Sequence, residues 1–302
     1  MDGPAAGSDE RDDIRVPAPS EPDAAGFRSV AVIGVGLIGA SVALAARRAW
    51  PWMRVAGVDR GTALDAARFL TAFDALGDTP ALARQADLVV LAAPVRQNIH
   101  LLRALGSSLE GPTLVTDVGS TKRATIAASA QLPGHVSFVG GHPMAGAARG
   151  GLGLARADLF AGRPWLLTPS PSTRSPKDVD RVAAFVTGLG AHPRVLDADT
   201  HDRLFAFVSH LPQLTASALM HTVGTAVGAD IDLAGPGLAD TTRLASSPAD
   251  IWQDICATNG DDIRPALDAL IDSLQTLREG LENDAVIARL FESAQRWRER
   301  VT

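Results

Sequence analysis

Five short stretches of this chain bring together residue types that do chemistry, and His142 stands at the centre of them. Gly140-Gly141-His142-Pro143-Met144-Ala145-Gly146 holds an imidazole between glycines and a proline. The side chain is thereby fixed while the backbone beside it can approach a ligand closely. Restricting a polar group in this way costs stability unless something is gained. A neutral imidazole near its ordinary pKa can accept a proton from a hydroxyl while hydride leaves the same carbon. His100, His135 and His192 have no comparable setting and read as structural.

The second stretch, Gly34-Val35-Gly36-Leu37-Ile38-Gly39, follows the apolar run 30–33 and opens a helical pattern. Gly34 makes a tight turn, Gly36 lets backbone approach a pyrophosphate, and Gly39 allows close helix–strand packing. The phosphates are expected at the amides of Leu37, Ile38 and Gly39, where the helix dipole favours anions. Asp59 ends the next strand, twenty residues after Gly39. Its carboxylate suits an adenosine ribose and repels a 2′-phosphate, which favours NAD; Arg60 beside it keeps NADP open. Ala93 and Pro94 close a further strand with small residues, as a loop over a nicotinamide ribose would.

In the third stretch, Thr116-Asp117-Val118-Gly119-Ser120-Thr121-Lys122, a strand again runs into a helix. Ser120 reads equally well as a helix cap and as a ligand contact, and Asp117 with Lys122 reads as an ion pair. The last two stretches are Ser209-His210-Leu211-Pro212 and Asp240-Thr241-Thr242-Arg243. Helical periodicity puts His210, Gln213, Ser217 and His221 on one polar stripe of an otherwise apolar helix, and a buried polar stripe needs partners. These are a ligand or a neighbouring helix. Pro212 frees the carbonyl of Val208 and is expected to kink that helix. Arg243 suits a substrate carboxylate, or an ion pair with Asp240.

The elements that must position these residues fall into two patterns. Apolar runs at 30–33, 53–58, 88–92, 113–117, 136–139, 165–168 and 194–196 alternate with helical stretches such as 38–48, 62–70 and 179–189. That alternation implies a mostly parallel sheet covered by helices on both faces, an α/β Rossmann-like domain. After Asp197 strand signals stop. Thr200 reads as the cap of a long helix to about 227, and helical patterns continue to 298. The expected divisions are a disordered tail over 1–26, a dinucleotide-binding domain over 27–196 and an all-α domain over 197–302. The formal charge of −6 leaves no basic footprint for nucleic acid, and Cys256 is the only cysteine, so no disulfide or cysteine-rich metal site is expected. No apolar run approaches the length of a membrane span and no signal-peptide layout opens the chain, which points to a cytoplasmic protein.

These motifs, in this order, resemble the prephenate/arogenate dehydrogenase family of tyrosine biosynthesis. The resemblance runs from about 29 to 279 and adds Asp158-Leu-Phe-Ala-Gly162, His201-Asp202 and Ile251-Trp252 to the stretches above. It implies NAD-dependent oxidative decarboxylation of a cyclohexadienol, with prephenate as substrate and arogenate or an amino-substituted analogue as the alternatives. His142 resembles the family's acceptor for the ring hydroxyl, Ser120 the residue orienting it, and Arg243 the ligand of a substrate carboxylate. His210 lies in the adjoining helix motif. A homodimer through the helical domain is implied. Two departures stand out: Gln213 replaces a second histidine common among relatives, and Ala147-Ala148 replace a hydroxyl residue and a glutamate. A β-hydroxyacid dehydrogenase shares the layout but leans on a helical-domain lysine, and none follows Lys177. A non-catalytic NAD sensor would not need His142, Ser120 and Arg243 together.

Overall fold

A computed structural model describes residues 26–146 and 151–301. The expected tail, apart from residue 26, and the Ala147-Ala148 departure lie outside the described residues. Eight strands form one sheet: β1 (Ser29–Ile33), β2 (Arg54–Val58), β3 (Ala75–Gly77), β4 (Leu88–Leu91), β5 (Thr113–Asp117), β6 (Val136–Pro143), β7 (Pro164–Pro169) and β8 (His192–Val195). Their order is β3-β2-β1-β4-β5-β6-β7-β8. Every neighbouring pair is parallel except β6 with β7. β1, β4, β5 and β6 are buried along their whole length, which is why they read as continuous apolar runs rather than alternating ones. β3 gave no signal of its own, because three edge residues, Ala-Leu-Gly, lack both length and β-branching.

Helices α1 (Leu37–Ala49) and α5 (Pro176–Gly188) pack on one face. There Val42, Ala46, Val182 and Phe185 join Trp50, and Trp50 stacks on Phe185 at 5.4 Å. The other face is covered by α3 (Val95–Leu105) and α4 (Arg123–Ser129), through Leu102, Leu105 and Ala128. A short α2 (Gly61–Ala67) follows β2. The chain steps from β1 outwards to β2 and β3 and then crosses back to β4 on the other side of β1, so the strand order reverses there. The crevice beyond the strand ends at that point is where open α/β sheets bind ligands.

Beyond β8 the described chain is helical: α6 (Ala198–Phe205), α7 (Leu211–Val227), α8 (Pro236–Thr241), α9 (Ala249–Glu279) and α10 (Asp284–Arg298). The cap of α6 is Asp197, whose carboxylate accepts from the Thr200 amide at 2.8 Å. Thr200 lies inside the first turn, a correction to the cap expected there; both residue types cap well, and the one three residues earlier won. The expected kink takes the form of a π turn over Ala206–His210, just before Pro212. The wider turn accommodates the ring and the carbonyl it leaves unbonded. α9 breaks at Asn259 (φ −132°, ψ 22°). The core of this region is small, with Ala206, Ile255, Ile263 and Ala266 buried together. In α7 only Gln213 and Ala216 are buried, while Phe207, Val208, Leu219, Val227, Ile271, Leu274, Phe291 and Trp297 are exposed.

Candidate functional site

At the end of β1 the chain turns with Gly34 at φ +98°, a conformation that favours glycine. A Cβ there would lie 2.5 Å from the Ala92 carbonyl carbon, so the β1 and β4 ends are in close contact. A Cβ on Gly39 would meet the Gly34 carbonyl oxygen at 1.9 Å, whereas one on Gly36 would meet nothing within 4 Å. Two glycines thus serve packing and the third faces open space. Gly36 is also the N-cap position of α1, which no side chain caps. Its first-turn amides therefore fit a pyrophosphate. The residues present fit NAD.

Asp59 accepts from the Val35 amide at 2.6 Å and the Arg60 amide at 2.7 Å, which ties the β2 end to the glycine loop. With Gly34, Gly36, Arg60, Asp78 and Pro94 it lines a cavity of about 430 Å³, shaped for the adenosine half of a dinucleotide. Asp78 was not singled out from sequence. It follows β3, which is paired in register with β2, so two carboxylates stand at adjacent strand ends. Asn98, fully buried, shapes the opposite wall: its amide donates to the Leu91 carbonyl and accepts from the Ala93 amide, both at 3.2 Å.

A second cavity, about 540 Å³, continues past Gly36, Leu37, Ile38, Ala93 and Pro94 to Ser120, His142, Trp252 and Asp254. His142 arrives there because β6 outruns β5. Its last residues pair only with β7, His142 opposite Leu166. Beneath it, Asp117 and Lys122 form a fully buried ion pair at 2.5 Å. Lys122 Nζ also donates to the Gly141 carbonyl at 2.7 Å, and the Gly141 amide donates to Asp117 at 3.0 Å. The residue before His142 is therefore clamped from both sides. Ser120 is not the α4 cap. The first α4 amides, of Lys122 and Arg123, donate to Asp202 at 2.8 and 2.9 Å, and the Ser120 hydroxyl is left at the cavity wall.

His142 is 8% exposed, at the cavity side. Its Nδ1 lies 2.9 Å from His201 Nε2, and His201 Nδ1 lies 2.8 Å from Asp202 Oδ1. Phe205 stacks on the His201 ring at 4.6 Å and touches His142 at 5.0 Å. Burial pushes the His142 pKa well below the usual histidine value, and the neighbouring His201, Lys122 and His210 push the same way. Burial also lowers His201, against the raising effect of its bond to Asp202. Asp202 is held below the usual carboxylate range: burial raises it, but the His201 bond and the α4 amides outweigh that. His142 is therefore held neutral, the state in which an imidazole can accept a proton.

Other expected site residues lie elsewhere. His210 is buried in the π turn, with Nδ1 3.2 Å from Asn259 Nδ2, and does not reach the cavity wall. Gln213 donates to the Leu244 carbonyl at 2.7 Å and accepts from Ser247 at 3.1 Å, so its amide ties α7 to the turn before α9. His221 is exposed, and the polar stripe is buried only at its first turns. Arg243 is exposed and makes no ion pair with Asp240 or any other described residue. Among the described residues His142 is the only wall side chain able to become a cation, and Asp254 the only acidic one. Asp254 is held by Arg96 at 2.5 Å across the two halves of the fold. His201, Asp202, Asn259 and Asp254 are the residues that sequence reasoning left without a role. Only the His201-Asp202 doublet carried any signal, as part of a motif.

No group of three or more ligating side chains able to hold a metal occurs among the described residues, and none of their helices is long and apolar enough to cross a membrane. The prephenate dehydrogenase of Bacillus subtilis is 31% identical over 280 residues, 90% of this chain and 75% of that protein. The cyclohexadienyl dehydrogenase of Zymomonas mobilis is 32% identical over 84% of this chain and 89% of its own length. The crystal structure of Aquifex aeolicus prephenate dehydrogenase with hydroxyphenyl propionate and NAD+ superposes with a TM-score of 0.81 at 29% identity, covering 90% of this chain and 98% of that one. The model of the prephenate dehydrogenase nucleotide-binding domain matches residues 42–195, starting just after the glycine loop, and that of the dimerization domain matches residues 197–294. With both halves matched, the chain belongs to the prephenate dehydrogenase family.

Proposed function

We propose that the protein converts prephenate and NAD+ into 4-hydroxyphenylpyruvate, CO2 and NADH. The observation that carries this reading is the single cavity in which the glycine loop, Ser120 and the His142 ring meet. NAD+ bound at the loop supplies the acceptor for the hydride that leaves the hydroxyl-bearing ring carbon. Leu37, Ile38 and Gly39 offer amides to the pyrophosphate, Asp59 with Arg60 meets the adenosine ribose, and Ala93-Pro94 closes over the nicotinamide end. His142 Nε2 accepts the hydroxyl proton, and Ser120 orients that hydroxyl. The ring carboxylate leaves as CO2 while the ring becomes aromatic, and the proton returns to the phenolate oxygen. Ile38, Val118, Trp252 and Ile255 give the cavity apolar walls that exclude water from the ring.

A dicarboxylate substrate needs a cation that the described walls lack. Arg243 is our assignment for that ligand. It opens the 3₁₀ turn leading towards the wall residue Ser247, roughly 8 Å of rise away. His210 and Gln213 support the site from behind. The exposed large apolar residues of α7, α9 and α10 support a homodimer through this region, since exposed apolar side chains gathered on one set of helices favour an interface. Arogenate is the second reading. Asp254, a carboxylate in the wall, would meet an amino group more favourably than a keto group.

The test is the initial rate of NADH formation from NAD+ with prephenate and with arogenate. Prephenate turnover that falls about 10²–10⁴-fold in His142→Asn supports the reading. Binding of NAD+ without turnover of either substrate would refute it, and full activity in His142→Asn would remove the imidazole from the mechanism.

A further inference from the structure

His142 does not act alone. Its Nδ1 is joined through His201 to Asp202, and both oxygens of Asp202 are already engaged by donors: Lys122 N on Oδ1, and Arg123 N and Nε on Oδ2. A carboxylate so surrounded stays ionised and can only accept. His201 must then donate from Nδ1, which leaves its Nε2 a lone pair. That lone pair accepts from His142 Nδ1–H, and the remaining lone pair of His142 is on Nε2. One buried carboxylate thereby sets the tautomers of two rings in series.

We propose that His201 and Asp202 form a proton relay behind His142, storing the substrate proton on His201 against the Asp202 carboxylate during hydride transfer. The inference rests on the dehydrogenase reading above. In the forward step the substrate O–H bond breaks and an N–H bond forms at His142 Nε2. The His142 Nδ1–H bond breaks and an N–H bond forms at His201 Nε2, while the hydride goes to NAD+. His142 ends neutral, and His201 becomes an imidazolium paired with Asp202. Both moves reverse when the phenolate is protonated.

The surroundings favour this direction. Burial depresses His142 strongly and His201 less so; Lys122 opposes a cation on either ring, but only His201 has the Asp202 bond and the Asp202 and Asp117 charges to offset it. The charged and titratable groups facing His201 are Asp202 on its own helix, His142 from β6, Asp117 and Lys122 from the β5–α4 junction, and His210 from the π turn. Phe205, stacked on the His201 ring at 19°, prevents the ring from turning away. His201 and Asp202 are positioning residues here, since neither lines the cavity.

The first measurement is histidine ¹⁵N NMR on the full-length protein with NAD+ and no substrate. The relay requires a protonated Nδ1 and unprotonated Nε2 on both His142 and His201. Asp202→Asn would turn an NH₂ towards His201, forcing Nδ1 to accept and inverting both tautomers; His142 Nε2 would then carry hydrogen and could not act as a base. Turnover of prephenate should fall about 10²–10⁴-fold, the usual worth of a positioned base. Its KM for NAD+ should hold within about threefold. The solvent-isotope proton inventory should be curved in the wild type, with two protons moving, and linear in His201→Gln. Wild-type rings with the opposite tautomers would overturn the relay even where no substrate turns over. So would Asp202→Asn retaining its rate, or a proton inventory that is already linear in the wild type. A wild type with the required tautomers but no turnover of prephenate would sink the substrate assignment and leave the hydrogen-bonded chain standing.

Discussion

Lowering the pH should destabilise this protein through His210, and the hydrogen bonds around Asn259 say why. Asn259 Oδ1 accepts from Arg123 Nη2 at 3.0 Å, and a guanidinium has no acceptor to offer. The amide orientation is therefore settled, and Nδ2 faces both the Asp202 carbonyl, at 2.9 Å, and His210 Nδ1, at 3.2 Å. His210 Nδ1 must accept, so the folded ring is neutral. Protonating it would set N–H against N–H in a site where the ring is 1% exposed. Burial pushes its pKa down to about 4, reinforced by His201 and partly offset by Asp202.

A histidine whose folded pKa lies below its unfolded value contributes stability that is present above about 6.5 and lost as pH falls towards about 4. Across that window the unfolded chain binds the extra proton. Between pH 7 and pH 5 the loss from His210 alone works out to about 2 kcal/mol, and at pH 4 to about 3 kcal/mol. In melting temperature, 2 kcal/mol corresponds to about 3 °C for a chain of this length. The assay is urea unfolding followed by tryptophan fluorescence at several pH values and one protein concentration, since self-association would otherwise shift the midpoint. His210→Gln keeps an acceptor for Asn259 but cannot titrate, so its stability should vary about 2 kcal/mol less between pH 7 and 5. Parallel pH curves for the two proteins would show that the Asn259 bond does not hold His210 neutral.

Two further expectations concern the cofactor site. Gly36→Val should fold with its melting point within about 2 °C yet weaken NAD+ at least about tenfold by calorimetry, because its Cβ enters open space where a pyrophosphate would lie. Gly39→Ala should lose stability as well as affinity, since its Cβ falls 1.9 Å from a backbone oxygen; equal melting points for the two variants would contradict the division of labour among the glycines. Replacing both Asp59 and Asp78 by Ser should raise kcat/KM for NADP relative to NAD by about tenfold or more. An unchanged ratio would mean that these carboxylates do not exclude the 2′-phosphate.

The sheet was legible because its strands are buried on both faces and its glycines have no substitute. Gly34 at φ +98° and Gly39 against a backbone oxygen leave no other residue type possible at those places. β3 was not legible, because an edge strand of three residues draws its existence from Val58 and its neighbours rather than from its own side chains. The Asp117–Lys122 pair could be read from spacing, since five residues across a strand–helix turn bring the two ends together. What spacing could not say is that Lys122 also clamps the Gly141 carbonyl, nineteen residues on, and so fixes the backbone that carries His142.

The same limit explains why the polar stripe of α7 stayed open between a ligand and a neighbouring helix, and why the His201-Asp202 doublet went unassigned. Periodicity gives the angle of a side chain about its own helix axis; it says nothing of what lies across the interface. The pattern of Gln213 and His210 fits either case; in the structure Gln213 bonds the turn before α9 and His210 bonds Asn259 of α9. His201 looks like any histidine on a short amphipathic helix until β6, fifty-nine residues earlier in the chain, delivers His142 to its Nε2. His142 was recognisable alone because its restraint is local, in the glycines and proline on either side. The hydrogen-bonded chain behind it is assembled from β6, α4 and α6, so it exists only once the two halves of the molecule have closed on each other.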